Sequence, residues 1–160
     1  MSEKAQILNE YAEWAYKSLE ETIRELYEEE AMWRPAEESN NIEWILNHIA
    51  RISNIALPRI VKGDPNYKPA NWPDDYKDHH YGIDRYMADI AAGKKVALDG
   101  IGKLTNAQLE EEISMWGGKK KRKEGLFAYI GEIIHHRGQI AFIRGTVKRR
   151  KEKDPDFLKC

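Results

Sequence analysis

A long proline-containing segment between two helical stretches constrains the fold of this chain more than any other feature. It spans residues 63–80 (GDPNYKPANWPDDYKDHH), holds three prolines and shows little periodicity, so we expect a connection there and no helix. If it is extended, it can cover up to about 60 Å, which is enough to run back along a whole helix. We therefore predict that the helices on its two sides are parallel.

Apolar residues recur every three or four positions in four stretches, which predicts four amphipathic helices. We expect them at Ser2 to about Glu30, Asn40 or Asn41 to about Lys62, about Gly82 to Leu104, and about Gly125 to Lys151. Pro58 is expected to kink the second helix. Because short links make neighbours antiparallel and the long one permits a crossover, the predicted fold class is all-α, an up-down-down-up four-helix bundle. We expect one domain over residues 1–160, with a tail from about residue 152.

The segment before the last helix, EEISMWGGKKKRK at residues 111–123, predicts a small β-hairpin about a Gly-Gly turn. Its basic run, residues 119–123, resembles a nucleic-acid or nuclear-localisation patch. Lysines at a hairpin edge also prevent strand pairing with other chains. We therefore favour a solvated edge there over a nucleic-acid site.

Charge and composition exclude several classes of protein. Lys and Arg total 26 against 27 Asp and Glu, so the formal net charge of −1 provides no overall attraction to nucleic acid or membrane. The charge is nevertheless polarised: residues 1–30 carry nine Glu against three basic residues, and residues 119–153 carry twelve Lys and Arg against three Glu. The single cysteine, Cys160, excludes an intramolecular disulfide framework. No apolar run approaches the roughly 20 residues of a membrane span, so we expect a soluble cytoplasmic protein.

The stretch GEIIHHRGQI, residues 131–140, contains a candidate site. With Glu132 set at 0° on a helix, His136 lies about 40° round and Gln139 about −20°, whereas His135 is about 100° from His136. His136, and not His135, can therefore act together with Glu132. A carboxylate and an imidazole four residues apart on a helix can bind one metal ion, as the two histidines of H-E-x-x-H do. That spacing alone is also common on solvated helix faces.

The second predicted helix offers His48 among apolar residues that face the core. A lone histidine on such a face is more often a hydrogen-bonded core residue than a ligand. Two helices that each bring inward polar side chains strengthen the metal hypothesis. We predict that His48, Glu132 and His136 form a two-His-one-carboxylate metal site with positions open for water or substrate.

Two motifs also carry a resemblance to a family. WILNHIARI at 44–52 and HHRGQI at 135–140, in this order and separation, resemble the DinB/YfiT-like bundle proteins. The resemblance implies an up-down-down-up bundle, commonly a homodimer, and a relation to metal-dependent transferases of bacillithiol, mycothiol and similar low-molecular-weight thiols. It also implies that His48 and His136 are ligands.

This chain departs from the family at the third ligand, which is usually a histidine and is here Glu132. A carboxylate makes a divalent site less positive and harder, so Zn, Ni, Fe and Mn all stay candidates. The leading hypothesis is a metal-dependent transferase that adds a small thiol to an electrophile, with no further catalytic residue identified. The alternatives are a non-catalytic bundle with a structural metal or buried polar trio, and an anion- or nucleic-acid-binding module.

The remaining polar residues near these motifs have open roles. Gln139 is either a hydrogen-bonding partner of the site or a core polar residue, and Arg137 makes an ion pair or dimer contact or binds substrate. Gly138 is expected to permit close contact with another helix. His135 is expected to pack or lie in an interface, or to join the site. His79 and His80 are helix-entry residues or lie at the site mouth.

Overall fold

The computed structural model of the protein describes residues 2–158. The helices are α1 (Glu3–Thr22), α2 (Glu28–Met32), α3 (Ile42–Arg51), α4 (Leu57–Lys62), α5 (Ile83–Ile101), α6 (Asn106–Glu110) and α7 (Arg122–Lys153). A π-helical segment, Ile52–Ala56, joins α3 to α4, and a 3-10 turn spans Tyr76–Asp78. Strands β1 (Glu112–Met115) and β2 (Gly118–Lys121) form an antiparallel hairpin before α7, as predicted.

Contacts near the ends of the helices define their directions. The start of α1 contacts the residues after α5, where Ser2 Oγ donates to Leu104 O, and its end reaches the middle of α5, where Lys94 pairs with Glu20. These two helices are therefore antiparallel. Helix α7 runs parallel to α1, because the Phe127 ring stacks on Tyr11 and Arg137 Nε donates to Thr22 Oγ1.

The helices on either side of the long connection are parallel. Asn47 in α3 contacts Tyr86 near the start of α5, and Val61 in α4 packs against Gly100 near its end. Helix α7 runs antiparallel to both, since Ile60 lies beside Gly125 near its start. The fold is an up-down-down-up bundle, and the prediction from residues 63–80 is confirmed.

The first helix is shorter than its apolar periodicity predicts. It ends at Thr22, and Glu25 adopts a left-handed conformation with φ of 58° before α2 begins. Arg144 of α7 stabilises this break: its Nη1 donates to the carbonyls of Thr22 and Arg24 at 2.8 and 2.7 Å. The same side chain pairs with the buried carboxylate of Glu30 at 2.9 Å. A contact between distant segments thus ends the helix.

The irregularity in the second long helix is the π segment, and it precedes Pro58. Pro58 follows within a continuous right-handed helical backbone, so its missing N–H leaves a carbonyl of the π segment without a helical donor. Asn54 Nδ2 in the π segment donates to Ala50 O at 2.9 Å and to Asp89 O of α5 at 2.7 Å. A Cβ at Gly93 would lie 2.6 Å from Ser53 atoms, so α5 approaches the π segment closely. Single π turns are frequent at functional sites, and this one directly follows the helix that carries His48.

Three of the five residues in the basic run, 119–123, pair with acidic residues of the chain. Lys121 and Lys123 both pair with Glu110, and Arg122 is buried and pairs with Glu111 at 3.0 Å. Within residues 2–158, no helix combines the length and apolar character that crossing a membrane requires.

Candidate metal centre

Helices α3 and α7 bring the three predicted ligands together. Glu132 and His136 lie one turn apart on α7, and His48 faces them from α3. Glu132 Oε2 is 3.3 Å from His136 Nε2 and 4.0 Å from His48 Nε2, and the two imidazole rings are 4.6 Å apart between centroids. One ligand atom from each residue lies within 4.8 Å of the others. The antiparallel packing of two helices therefore builds a compact N, N, O donor set.

His136 has the orientation of a metal ligand. Its Nδ1 lies 2.8 Å from Gln139 Oε1. Because an amide oxygen only accepts, Nδ1 carries the proton and the lone pair is on Nε2. Nε2 is buried and makes no hydrogen bond with any described residue, although Glu132 lies within ion-pair distance. A buried nitrogen with a free lone pair beside a carboxylate fits a metal ion, and Gln139 is the hydrogen-bonding partner that such a histidine requires.

The imidazole of His48 lies between the Trp44 ring and the Arg51 guanidinium. The Trp44 ring stacks on it with centroids 5.5 Å apart and planes 14° from parallel. Burial lowers the pKa of His48 to about 4, helped by electrostatic repulsion from the neighbouring His136 and Arg51 and opposed by Glu132. His48 is therefore neutral at neutral pH, which is the form that ligates metals.

Arg51 competes with a metal ion for His48. Its Nη2 lies 3.3 Å from His48 Nδ1, and its Nε donates to Asn47 Oδ1 at 3.0 Å. A guanidinium only donates, so Nδ1 accepts in this arrangement and the ring proton lies on Nε2. Ligation through Nε2 requires the proton on Nδ1, and Arg51 Nη2 would then have to move away. The i,i+3 spacing of His48 and Arg51 could have revealed this neighbour from the sequence.

Glu132 lies at the mouth of the site and is more exposed than its helical stripe suggests. Its side chain is 47% exposed, whereas that of His136 is 9% exposed. The inward polar side chain predicted at this position is therefore half exposed to solvent. Its proximity to both histidines is what makes it a candidate ligand. Three protein ligands and one open side are typical of catalytic sites, whereas structural zinc sites are usually closed by four.

The other residues of the last motif lie outside the trio. His135 is exposed, with its Nε2 3.3 Å from Gln139 Nε2. Arg137 joins α7 to α1 through Thr22. Gly138 is exposed and a Cβ there would meet no described atom within 4 Å, so the expected close contact with another helix does not form among residues 2–158 of one chain. The residue faces outward because the inward stripe is occupied by His136 and its neighbours.

His79 and His80 belong to a separate network. His79 Nε2 lies 2.7 Å from Asp75 Oδ2, and His80 Nδ1 lies 2.6 Å from Glu43 Oε1. These pairs attach the end of the long connection to itself and to α3, as expected for helix-entry residues. Within residues 2–158, the trio is the one group of His, Cys, Asp or Glu side chains compact enough to hold a metal ion.

The fold and the trio together define a helical-bundle protein with a group of side chains that could hold a divalent ion. The sequence model of the DinB superfamily matches residues 11–140. The chain therefore belongs to the DinB superfamily.

A solved structure supports the same fold. A conserved protein from Enterococcus faecalis is 19% identical, superimposes with a TM-score of 0.67, and the match covers 90% of this chain and 96% of that one. At this identity the likeness shows the fold alone. No protein with curated annotation matches the chain.

Proposed function

We propose that the protein binds a divalent transition metal through His48, Glu132 and His136, and that it transfers a low-molecular-weight thiol onto an electrophile. The observation that carries this proposal is the convergence of the trio on one side of His136 Nε2, a buried atom without a hydrogen bond. Imidazole and carboxylate donors suit Zn, Ni, Fe and Mn.

The side chains of the site have distinct tasks in this proposal. Gln139 holds the His136 ring with its lone pair toward the site, and Trp44 holds the plane of His48. When bound, the metal would supply a Lewis-acidic centre that favours the thiolate form of a sulfhydryl. In the transfer itself, a sulfur–carbon bond forms, the leaving group departs with its electron pair, and the thiol proton passes to water. No described side chain at the site stands out as a general base.

The alternative is a bundle that binds a metal without catalysis. The exposed carboxylate of Glu132 favours the catalytic hypothesis, because it leaves one side of the trio open to solvent. Pairing of Lys121, Arg122 and Lys123 within the chain disfavours the nucleic-acid hypothesis.

The experiment has two stages. Protein reloaded with Ni, Zn, Mn or Fe should approach one ion per chain by elemental analysis, and a His48→Ala/His136→Ala variant should lose that ion. His79→Ala is the matched control, because it removes an exposed histidine outside the trio. Loaded protein is then screened with several small thiols and a chromogenic aryl halide. Full loading without any thiol transfer would favour the non-catalytic alternative.

We also propose that the protein forms a homodimer through the outward face of α7. Phe127 and Phe142 on this helix are 62% and 63% exposed, and Trp14 on the neighbouring α1 is 56% exposed. Gly138 lies between the two phenylalanines with open space above it, so a second helix could approach closely there. The cytoplasmic location and the single-domain organisation stay predictions.

A further inference from the structure

A cavity of about 380 Å³ lies directly beside the trio, with His48 in its wall. The floor comes from α3, the π segment and α4, and the sides come from the long connection, the hairpin and α7. Of the three candidate ligands, His48 lines the described cavity, so a molecule bound there would lie against one ligand of the proposed metal. The two sequence motifs at 44–52 and 135–140 predict the trio, but they do not predict this cavity.

Two half-buried arginines on the floor, Arg51 and Arg59, form no ion pair with a carboxylate within residues 2–158. Arg51 and Arg59 both line the cavity, and their hydrogen bonds go to neutral groups. Arg51 Nε donates to Asn47 Oδ1, Arg51 Nη2 contacts His48 Nδ1, and Arg59 Nε donates to Tyr67 O. The negative charge of Asp78 raises the pKa of Arg51. Within residues 2–158, however, no carboxylate lies at ion-pair distance from either arginine. Partial burial of an unpaired cation is costly, and an incoming oxyanion would offset that cost.

The rim adds further positive charge. Lys68 and Lys77 line the cavity, and Lys68 pairs with Asp74, which is the one acidic residue in the described lining. The lining is thus cationic although the whole chain is close to neutral. Such a charge distribution selects an anionic ligand and speeds its arrival.

Aromatic rings form two of the sides. Trp72 of the long connection stacks on Tyr76 with centroids 4.2 Å apart. Trp116 of the hairpin turn lies 4.7 Å from the ring of Tyr129 on α7. Flat apolar faces in a cavity that also contains guanidinium groups suit a ligand that joins a flat apolar body to an acid group.

We propose that this cavity binds the acidic end of the small-molecule substrate: a carboxylate attracted by the positive charges of Arg51 and Arg59, carried on a flat apolar body that lies against Trp72 and Trp116. The inference rests on the proposed function, because it assigns the substrate of the same site. It adds a substrate class, a flat carboxylic acid, and it names the residues that select it.

The test uses 2-naphthoate as the probe, with uncharged 2-naphthamide as its isosteric control. Full-length protein is kept free of metal with a chelator, and the indole N–H signals are followed by NMR during each titration. Signals assigned through Trp72→Phe and Trp116→Phe variants should shift to saturation with naphthoate, while those of Trp14 and Trp33 should shift little. Naphthamide should bind at least about tenfold more weakly, and added salt should weaken only naphthoate.

Charge variants locate the acid group. Arg59→Gln and Arg51→Gln should each weaken naphthoate binding by about tenfold, as expected for loss of a charge-assisted hydrogen bond. Arg149→Gln is the matched control, because Arg149 is exposed near the end of α7 and outside the cavity lining; it should change the affinity less than twofold. If an arginine variant fails to fold, as judged by circular dichroism, Lys77→Gln at the exposed rim should still weaken binding severalfold.

Three results would overturn the inference: equal affinity for naphthoate and naphthamide, shifts centred on Trp14 or Trp33, or unchanged affinity in the folded cavity variants. Because the titration contains no metal, its failure is separate from failure of the proposed function. Protein that loads metal and transfers a thiol but does not bind naphthoate contradicts the cavity inference alone. Protein that binds naphthoate in the cavity but never loads metal contradicts the proposed function.

Discussion

Nδ1 of His136 lies 2.8 Å from Oε1 of Gln139, three residues further along α7. Because both groups belong to one helix, the contact forms as soon as the helix does. It determines which nitrogen of His136 carries the proton, and so it leaves Nε2 free to bind a metal before α3 contributes His48.

Replacing Gln139 should weaken the metal site without removing a ligand. Gln139→Ala should lower the affinity for Zn or Ni by about tenfold to a hundredfold, because the orientation and proton position of His136 are no longer held. Gln139→Glu keeps an acceptor for Nδ1 and should retain most of the affinity. Calorimetric metal titration checks both variants. Equal affinity in wild-type protein and Gln139→Ala would mean that Gln139 does not support the site.

Substitutions at Glu132 should change both affinity and metal preference. Glu132→Gln keeps the size but removes a negative charge, so every divalent ion should bind more weakly. Glu132→His supplies nitrogen where the family usually has it and should favour Zn or Ni over Mn. For each variant, the metal affinity from titration is compared with the midpoint of urea unfolding. An altered unfolding midpoint with unchanged metal affinity in both variants would show that Glu132 only stabilises the fold.

Arg51→Gln should strengthen metal binding. The substitution removes a positive charge next to the site and the donor that occupies Nδ1 of His48 at 3.3 Å. At a dielectric close to that of water, the electrostatic part alone is worth about 1 kcal/mol, or severalfold in affinity. The same substitution should weaken naphthoate binding. Competition against a fluorescent chelator measures the metal affinity. Arg149→Gln is the control for the change in total charge. Weaker metal binding in Arg51→Gln than in wild-type protein would contradict the role assigned to Arg51.

The stability of metal-free protein should fall as the pH drops from about 6.5 to 4. Burial lowers the pKa of His48 from the ordinary 6.5 to about 4. In that window the unfolded chain binds a proton at residue 48 that the folded chain does not, so the free energy of unfolding decreases with falling pH. The contribution of His48 is at most about 3 kcal/mol.

Urea unfolding at several pH values measures this loss. His48→Gln should flatten the curve between pH 6.5 and 4, and His79→Gln, which alters an exposed histidine, should keep the wild-type slope. If His48→Gln shows the same pH dependence as wild-type protein, another group is responsible for it.

Light scattering should give about twice the chain mass of 18.6 kDa at tens of micromolar. Phe142→Glu places a charge on the proposed interface and should shift the protein toward monomer. Trp116→Glu, at an exposed aromatic residue of the hairpin, is the control and should leave the mass unchanged. A monomer mass for the wild-type chain would contradict the dimer proposal.

Local features of the sequence predicted most of the architecture. The three- and four-residue repeats indicated the long helices, and the paired glycines indicated the hairpin, because these patterns act between near neighbours. The long connection predicted parallel helices through its reach alone. The spacing of Glu132 and His136 placed both on one helix face, and that relation needs no tertiary contact.

Tertiary structure decided the rest. Arg144 ends α1 by binding carbonyls more than a hundred positions away, and the outward direction of Gly138 depends on which side of α7 meets the core. His48 joins the trio only because α3 packs antiparallel to α7, and the cavity exists only where the connection, the hairpin and α7 enclose the π segment. Periodicity reports which face of a helix is apolar, whereas a site built between helices depends on their packing, which no local pattern encodes.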